Sequence, residues 1–114
     1  MIKKVRLIVN GRVQGVNFRA NVKSYCDNFK LGGFVKNCED GSVEIAAYGT
    51  EEELKKLITW LKRSPGLSKV RKIKEIWKEN GKTFKNFEIR IDRDFISEQA
   101  RNFRNLGREI FRKV

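Results

Sequence analysis

The stretch Gly11-Arg12-Val13-Gln14-Gly15-Val16-Asn17-Phe18-Arg19 is where the chain changes its hydrophobic period from two to 3.6. Before it, residues 5–10, Val-Arg-Leu-Ile-Val-Asn, are β-branched and loosely alternating. They predict a strand that Gly11 ends. After it, Phe18, Val22, Tyr25, Cys26 and Phe29 fall on one helical face. Residues 11–17 form a glycine-punctuated loop between the two, and Asn17 stands where an N-cap belongs. Gly32-Gly33 reads as the glycine stop of the helix.

Working outward, residues 34–38 predict a second strand, Asp40-Gly41 a hairpin turn, and residues 42–48 a third strand. Thr50-Glu51-Glu52-Glu53 is a capping box: the threonine hydroxyl serves the N3 amide and Glu53 reaches back. Leu54, Leu57, Ile58 and Leu61 then mark a second amphipathic helix, ended by Ser64-Pro65-Gly66. From Val70 to Trp77 apolar and charged residues alternate, but Val70, Ile73 and Ile76 are imperfectly spaced, so a bulge or bend is expected. Asn80-Gly81 predicts a turn and residues 84–91 a last strand. The order is βαββαβ, with one more strand completing the last hairpin. That is an α+β, ferredoxin-like split βαβ sandwich over residues 1–92, with an antiparallel sheet and both helices on one face. Residues 93–114 are extra. Ile96, Phe103, Leu106, Ile110 and Val114 line one face and Arg101, Arg104, Arg108 and Arg112 another, which predicts a basic amphipathic C-terminal helix.

At 114 residues the chain is one domain, and its 39% hydrophobic and 11% aromatic content fits a folded protein. It has no histidine, which excludes histidine bases, histidine metal sites and Ser-His-Asp triads. Cys26 and Cys38 are too few for a four-ligand zinc site or a disulfide framework, and they fit a reducing compartment. No apolar run approaches the ~20 residues that span a bilayer. Met1-Ile2-Lys3-Lys4 leads straight into a strand without a signal-peptide region, so the expectation is a soluble, cytoplasmic protein.

The chemistry is carried by residues 11–19. A two-glycine loop between a strand and a helix lets backbone N–H groups converge, and the helix N-terminus adds positive partial charge. The product is an anion site suited to phosphate. Arg19 lies in the first helical turn, where a cation opposes the helix dipole unless an anion is close. Its guanidinium grips phosphate oxygens in bidentate fashion.

The residues as they stand go further. Gly-Arg-Val-Gln-Gly-Val-Asn-Phe-Arg at 11–19 resembles the acylphosphatase signature. The second block follows at the family's distance: Gly33-Phe34-Val35-Lys36-Asn37, then Asp40-Gly41-Ser42-Val43-Glu44. Gly49 and Phe87-Glu88-Ile89-Arg90 also match, so the resemblance runs over about residues 3–92. It implies a ferredoxin-like hydrolase that splits the carboxyl–phosphate bond of acyl phosphates into a carboxylate and inorganic phosphate. The phosphate, or a sulfate in its place, sits in the loop formed by Gln14, Gly15, Val16, Asn17, Phe18 and Arg19. Arg19 binds it, and Asn37 orients the attacking water. No cofactor, metal or covalent intermediate is implied. Phe34 stands where the family often has tryptophan, Thr50 where proline is common, and Leu67 where a small residue is usual. None of these touches Arg19 or Asn37. The extension from Arg93 has no family counterpart; it could cover the site, dock on the core, or pair two chains into a homodimer.

Plainer roles stand beside these. Outside the motif Arg19 would be a surface arginine and Asn37 a strand-end turn residue. Cys26 lies on the apolar helix face and reads as core, and Cys38 as structural or incidental. Trp60, Trp77 and the phenylalanines read as core or helix packing. The net charge is +12, with 20 cations against 11 carboxylates in residues 1–92 and six against three in residues 93–114. One reading is steering of an anionic substrate. Another is nucleic-acid binding: the sheet is like that of RNA-recognition domains, and Lys69, Arg71, Lys72 and Lys74 form a basic strip. The aromatic-rich signature of those domains is absent. The third reading, a solvated lysine-rich surface, accounts for most of the charge. The alternative function is therefore a non-enzymatic acylphosphatase-like module that binds an anion or a nucleic acid.

Overall fold

The computed structural model describes residues 1–79, 84 and 86–91. The elements in chain order are β1 (Lys3–Arg12), α1 (Phe18–Asn28), β2 (Gly32–Asn37), β3 (Val43–Gly49), α2 (Glu51–Lys62), β4 (Lys69–Glu79) and β5 (Phe87–Arg90). They form one sheet in the order β4-β1-β3-β2-β5. β3 pairs antiparallel with both β1 and β2, and β1 pairs antiparallel with β4. So β1-α1-β2 and β3-α2-β4 are two split βαβ units, each with one strand of the other inserted between its own pair.

Alternation along the strands decides which face is covered. Val5, Leu7 and Val9 of β1 and Val43, Ile45 and Ala47 of β3 are fully buried. They join Phe18, Val22 and Cys26 of α1 and Leu54, Leu57, Ile58 and Leu61 of α2 in a single core cluster. Both helices therefore lie on one face of the sheet, as the periodicity predicts. Trp60 and Trp77 pack against this core, and Trp60 stacks on Tyr25 with ring centroids 4.5 Å apart.

Local chemistry explains most element ends. The Thr50 side chain accepts from the Glu53 amide, and the Glu53 carboxylate accepts from the Thr50 amide at 2.9 Å, closing the capping box. α1 stops earlier than its glycines. The Leu31 amide donates to the Cys26 carbonyl at 2.8 Å and the Lys30 amide to Asp27, with Lys30 left-handed at φ 57°. That is a Schellman turn built on lysine instead of glycine. Gly32 and Gly33 belong to β2 and serve close backbone approach. A Cβ on Gly33 would lie 1.9 Å from the Ala46 carbonyl oxygen, and one on Gly32 would lie 1.6 Å from that of Phe84. Asn17 does occupy the N-cap of α1, but with φ 61° its side chain caps nothing.

One further feature follows the pattern read in the sequence and one departs from it. The irregular spacing of Val70 and Ile73 is a bulge: Asn10 pairs with Lys72 and Gly11 with Val70, leaving Arg71 as the extra residue. The last strand does not close a hairpin with β4. β5 instead joins the far edge of the sheet parallel to β2, making the sheet mixed. The Asn80-Gly81 turn and the C-terminal helix expected over 93–114 lie outside the described residues. Among the described residues no helix is long and apolar enough to cross a membrane.

Candidate active site

Strand direction brings the candidate residues to one end of the sheet. β1 and β2 both run antiparallel to β3, and β5 runs parallel to β2. The C-terminal ends of β1, β2 and β5 therefore share one edge. That edge carries the loop after Arg12, Asn37 at the last position of β2, and Ile89 near the end of β5.

The loop is held from below and folded back on itself. Val13 and Phe18 are each 1% exposed, and Val16 packs against the core. Gly15 takes φ 74° and Asn17 φ 61°, left-handed turns that let successive backbone amides curl round a centre. α1 begins at Phe18, so its first free amides open at the same place. Val13, Gly15, Asn17, Phe18, Arg19, Ala20 and Ile89 enclose a hollow of about 270 Å³. Arg19 is half-buried there, and among the described residues no carboxylate pairs with it. The first turn of α1 holds no acidic residue either. A guanidinium at a positive helix end is electrostatically unfavourable unless an anion is close.

Gln14 has a different place from its neighbours. Its side-chain amide donates to the carbonyls of Cys38, at 2.8 Å, and Ser42, at 2.9 Å. The two bonds tie the loop to the β2–β3 hairpin, directly beside Asn37. That hairpin is itself fixed: the Cys38 amide donates to Ser42, the Gly41 amide to Cys38, and the Asp40 carboxylate accepts from both the amide and the hydroxyl of Ser42. Those last bonds hold the Asp40 carboxyl below its ordinary pKa. Gly41, at φ 91°, closes a three-residue loop, one residue longer than the Asp40-Gly41 signal alone implies.

Asn37 does not line the hollow. It lies on the helix-covered side of β2, and its Oδ1 is buried without a hydrogen bond among the described residues. A buried acceptor costs about 1–3 kcal/mol unless a donor such as water reaches it. Among the described residues no three His, Cys, Asp or Glu side chains gather as a metal site would need. Cys26 is fully buried in the core, where desolvation pushes its thiol up to about 12. Cys38 is partly exposed and free.

Of the residues singled out in the sequence, Gly15, Asn17, Phe18 and Arg19 line one hollow, Val16 packs on the core, Asn37 lies outside the hollow, and Gln14 is turned toward the hairpin. Ile89 was missed. Its place depends on the parallel pairing of β5 with β2, and no residue of the last strand signals which strand it joins.

A model of the acylphosphatase family matches residues 5–89. An acylphosphatase of Cupriavidus necator is 40% identical over 85 residues, which cover 75% of this chain and 90% of that protein. One of Bacillus licheniformis is 48% identical over 69 residues, covering 60% of this chain and 77% of that protein. The crystal structure of acylphosphatase from Bacillus subtilis matches with a TM-score of 0.73 at 40% identity, over 77% of this chain and 98% of that one.

Proposed function

The chain belongs to the acylphosphatase family, and from that membership we propose how its residues perform the hydrolysis. The protein is an acylphosphatase, a hydrolase that cleaves acyl phosphates to a carboxylate and inorganic phosphate. In our reading the phosphoryl group enters the loop of residues 14–19, held by backbone amides and the Arg19 guanidinium. Inorganic phosphate or sulfate takes the same place. Asn37 accepts a hydrogen bond from a water through Oδ1 and holds its oxygen toward phosphorus. The water–phosphorus bond forms as the phosphorus–oxygen bond to the acyl group breaks. The acyl oxygen leaves as carboxylate, and the water's proton passes to a phosphate oxygen.

This division of labour suits the chemistry. Carboxylate is a good leaving group, so the enzyme needs mainly to position water and stabilise charge on the phosphoryl oxygens. Asparagine is no base near neutral pH, but it orients a water well. The observation that carries the reading is the buried, unpartnered Oδ1 of Asn37, on the strand end that Gln14 ties to the phosphate loop. The catalytic unit is assigned to residues 1–92, with residues 93–114 an extension beyond it. A homodimer through that extension belongs to the same reading, and the mass in solution with and without it decides that point. A cytoplasmic location accords with two free cysteines.

The test is hydrolysis of benzoyl phosphate by the intact chain in chelator, following benzoate and phosphate. The reading predicts stoichiometric release of both well above the buffer rate. No release above buffer overturns it.

A further inference from the structure

The side of the sheet away from the helices carries a pattern that the hydrolysis does not use. Strand register puts Lys74, Ile8, Glu44, Lys36 and Arg90 in one row across all five strands. At ~4.8 Å between strands that row is about 19 Å long. In the next row Arg6 lies between Ile76 and Ala46, and Phe34 follows Ala46. In the third, Lys4 lies between Lys78 and Tyr48.

The charge on this face is one-sided. Among the described residues, Lys4, Arg6, Lys36, Lys74, Lys78 and Arg90 share this face with two carboxylates, Glu44 and Glu88. Glu44 is already engaged by Arg6 at 2.6 Å and Lys36 at 3.6 Å, and Glu88 by Arg90 at 2.6 Å. Among the described residues Lys74 and Lys78 make no ion pair. The two helices on the other face are nearly balanced, with five cations against four carboxylates. The cations also flank flat apolar groups. The Arg90 guanidinium lies 4.1 Å from the Phe34 ring centroid and Lys4 Nζ lies 5.7 Å from that of Tyr48, whose ring packs on Phe84.

We propose that this open face binds single-stranded nucleic acid, with phosphates along the lysine rows and bases against Tyr48 and the Arg90–Phe34 pair. Aromatic rings and guanidinium planes both stack on bases, and sequence-tolerant binding needs only that and a cationic track. Lysines on the edge strand β4 also discourage edge-to-edge association. That role does not account for cations continuing inward across β1 and β2. The surface is independent of the phosphate hollow, which lies at the sheet's end on the helix side.

The test measures fluorescence anisotropy of a labelled, mixed-sequence oligoribonucleotide with the full chain over a range of salt. A Lys74→Gln/Lys78→Gln variant removes two charges from the open face. A Lys56→Gln/Lys62→Gln variant removes the same charge from α2. The face predicts that the first variant lowers the slope of log K against log salt by about 1.4, at ~0.7 per phosphate contact, and that the second leaves it unchanged. Tyr48→Leu is expected to weaken binding about fivefold or more by loss of stacking. Benzoyl phosphate turnover, expected to be unaltered in every variant, reports that each is folded. Equal losses from both lysine pairs would show a response to net charge alone and overturn the proposal, as would no binding by the intact chain near physiological salt.

Discussion

Replacing Gln14 by leucine tests the coupling between the two halves of the site. The substitution deletes the bonds to the Cys38 and Ser42 carbonyls and leaves the hollow's own lining unchanged. Both carbonyls keep a backbone donor, Gly41 for Cys38 and Cys38 for Ser42. No acceptor is orphaned, so the cost is that of two net hydrogen bonds, about 2 kcal/mol in total. For a core of this size that lowers Tm by roughly 10 °C. The loop remains anchored through Val16 and Phe18, so inhibition by inorganic phosphate is expected to stay within about threefold. Asn37, however, loses its fixed position relative to the phosphate, and kcat is expected to fall about ten- to a hundredfold. Thermal melts and benzoyl phosphate kinetics with phosphate as inhibitor read all three quantities. A variant that melts lower but keeps full kcat would refute the reasoning, because the tie would then be structural only.

Three other substitutions probe the frame. Gly33→Ala drives a Cβ into the Ala46 carbonyl and is expected to abolish folding; Gly41→Ala, with open space around it, is expected to cost only about 1–2 kcal/mol of backbone strain, and urea melts compare the two. Lys30→Gly relieves the left-handed lysine of the Schellman turn and is expected to raise stability by about 0.5–1 kcal/mol; a lower urea midpoint would contradict that account of how α1 ends. Hydrogen bonds from Lys3 and Lys55 hold Glu51 down to about 2, so its contribution is present above the unfolded value of 4.5 and is lost as pH falls toward 2. Urea midpoints of the intact chain and Glu51→Gln are expected to differ slightly at pH 6 and to converge by about pH 2; parallel curves would contradict the shift.

Much of this architecture is legible in the residues because it is locally encoded. The capping box at Thr50 and the apolar faces of α1 and α2 are fixed by neighbours within a few positions. So is the two-glycine loop before Arg19. What the residues conceal depends on partners far along the chain. β5 is four residues long, and nothing in Phe87–Arg90 states whether it pairs with β4 or β2. That one choice decides whether Ile89 lines the same hollow as Arg19. Gly32 and Gly33 resemble a helix stop until the carbonyls of Phe84 and Ala46 are seen against them. The side chain of Gln14 reads as a phosphate ligand until the hairpin that takes its hydrogen bonds is in place.

The central claim is that Arg19 holds the phosphate while Asn37 holds the water. The most direct measurement sets Arg19→Ala beside Asn37→Ala, recording kcat for benzoyl phosphate and inhibition by inorganic phosphate for each. The account predicts that Asn37→Ala loses about a hundredfold or more in kcat yet is inhibited by phosphate almost as the intact enzyme is. Arg19→Ala is predicted to lose both. Full kcat in Asn37→Ala, or loss of phosphate inhibition in it equal to that in Arg19→Ala, would contradict the assignment of the two roles.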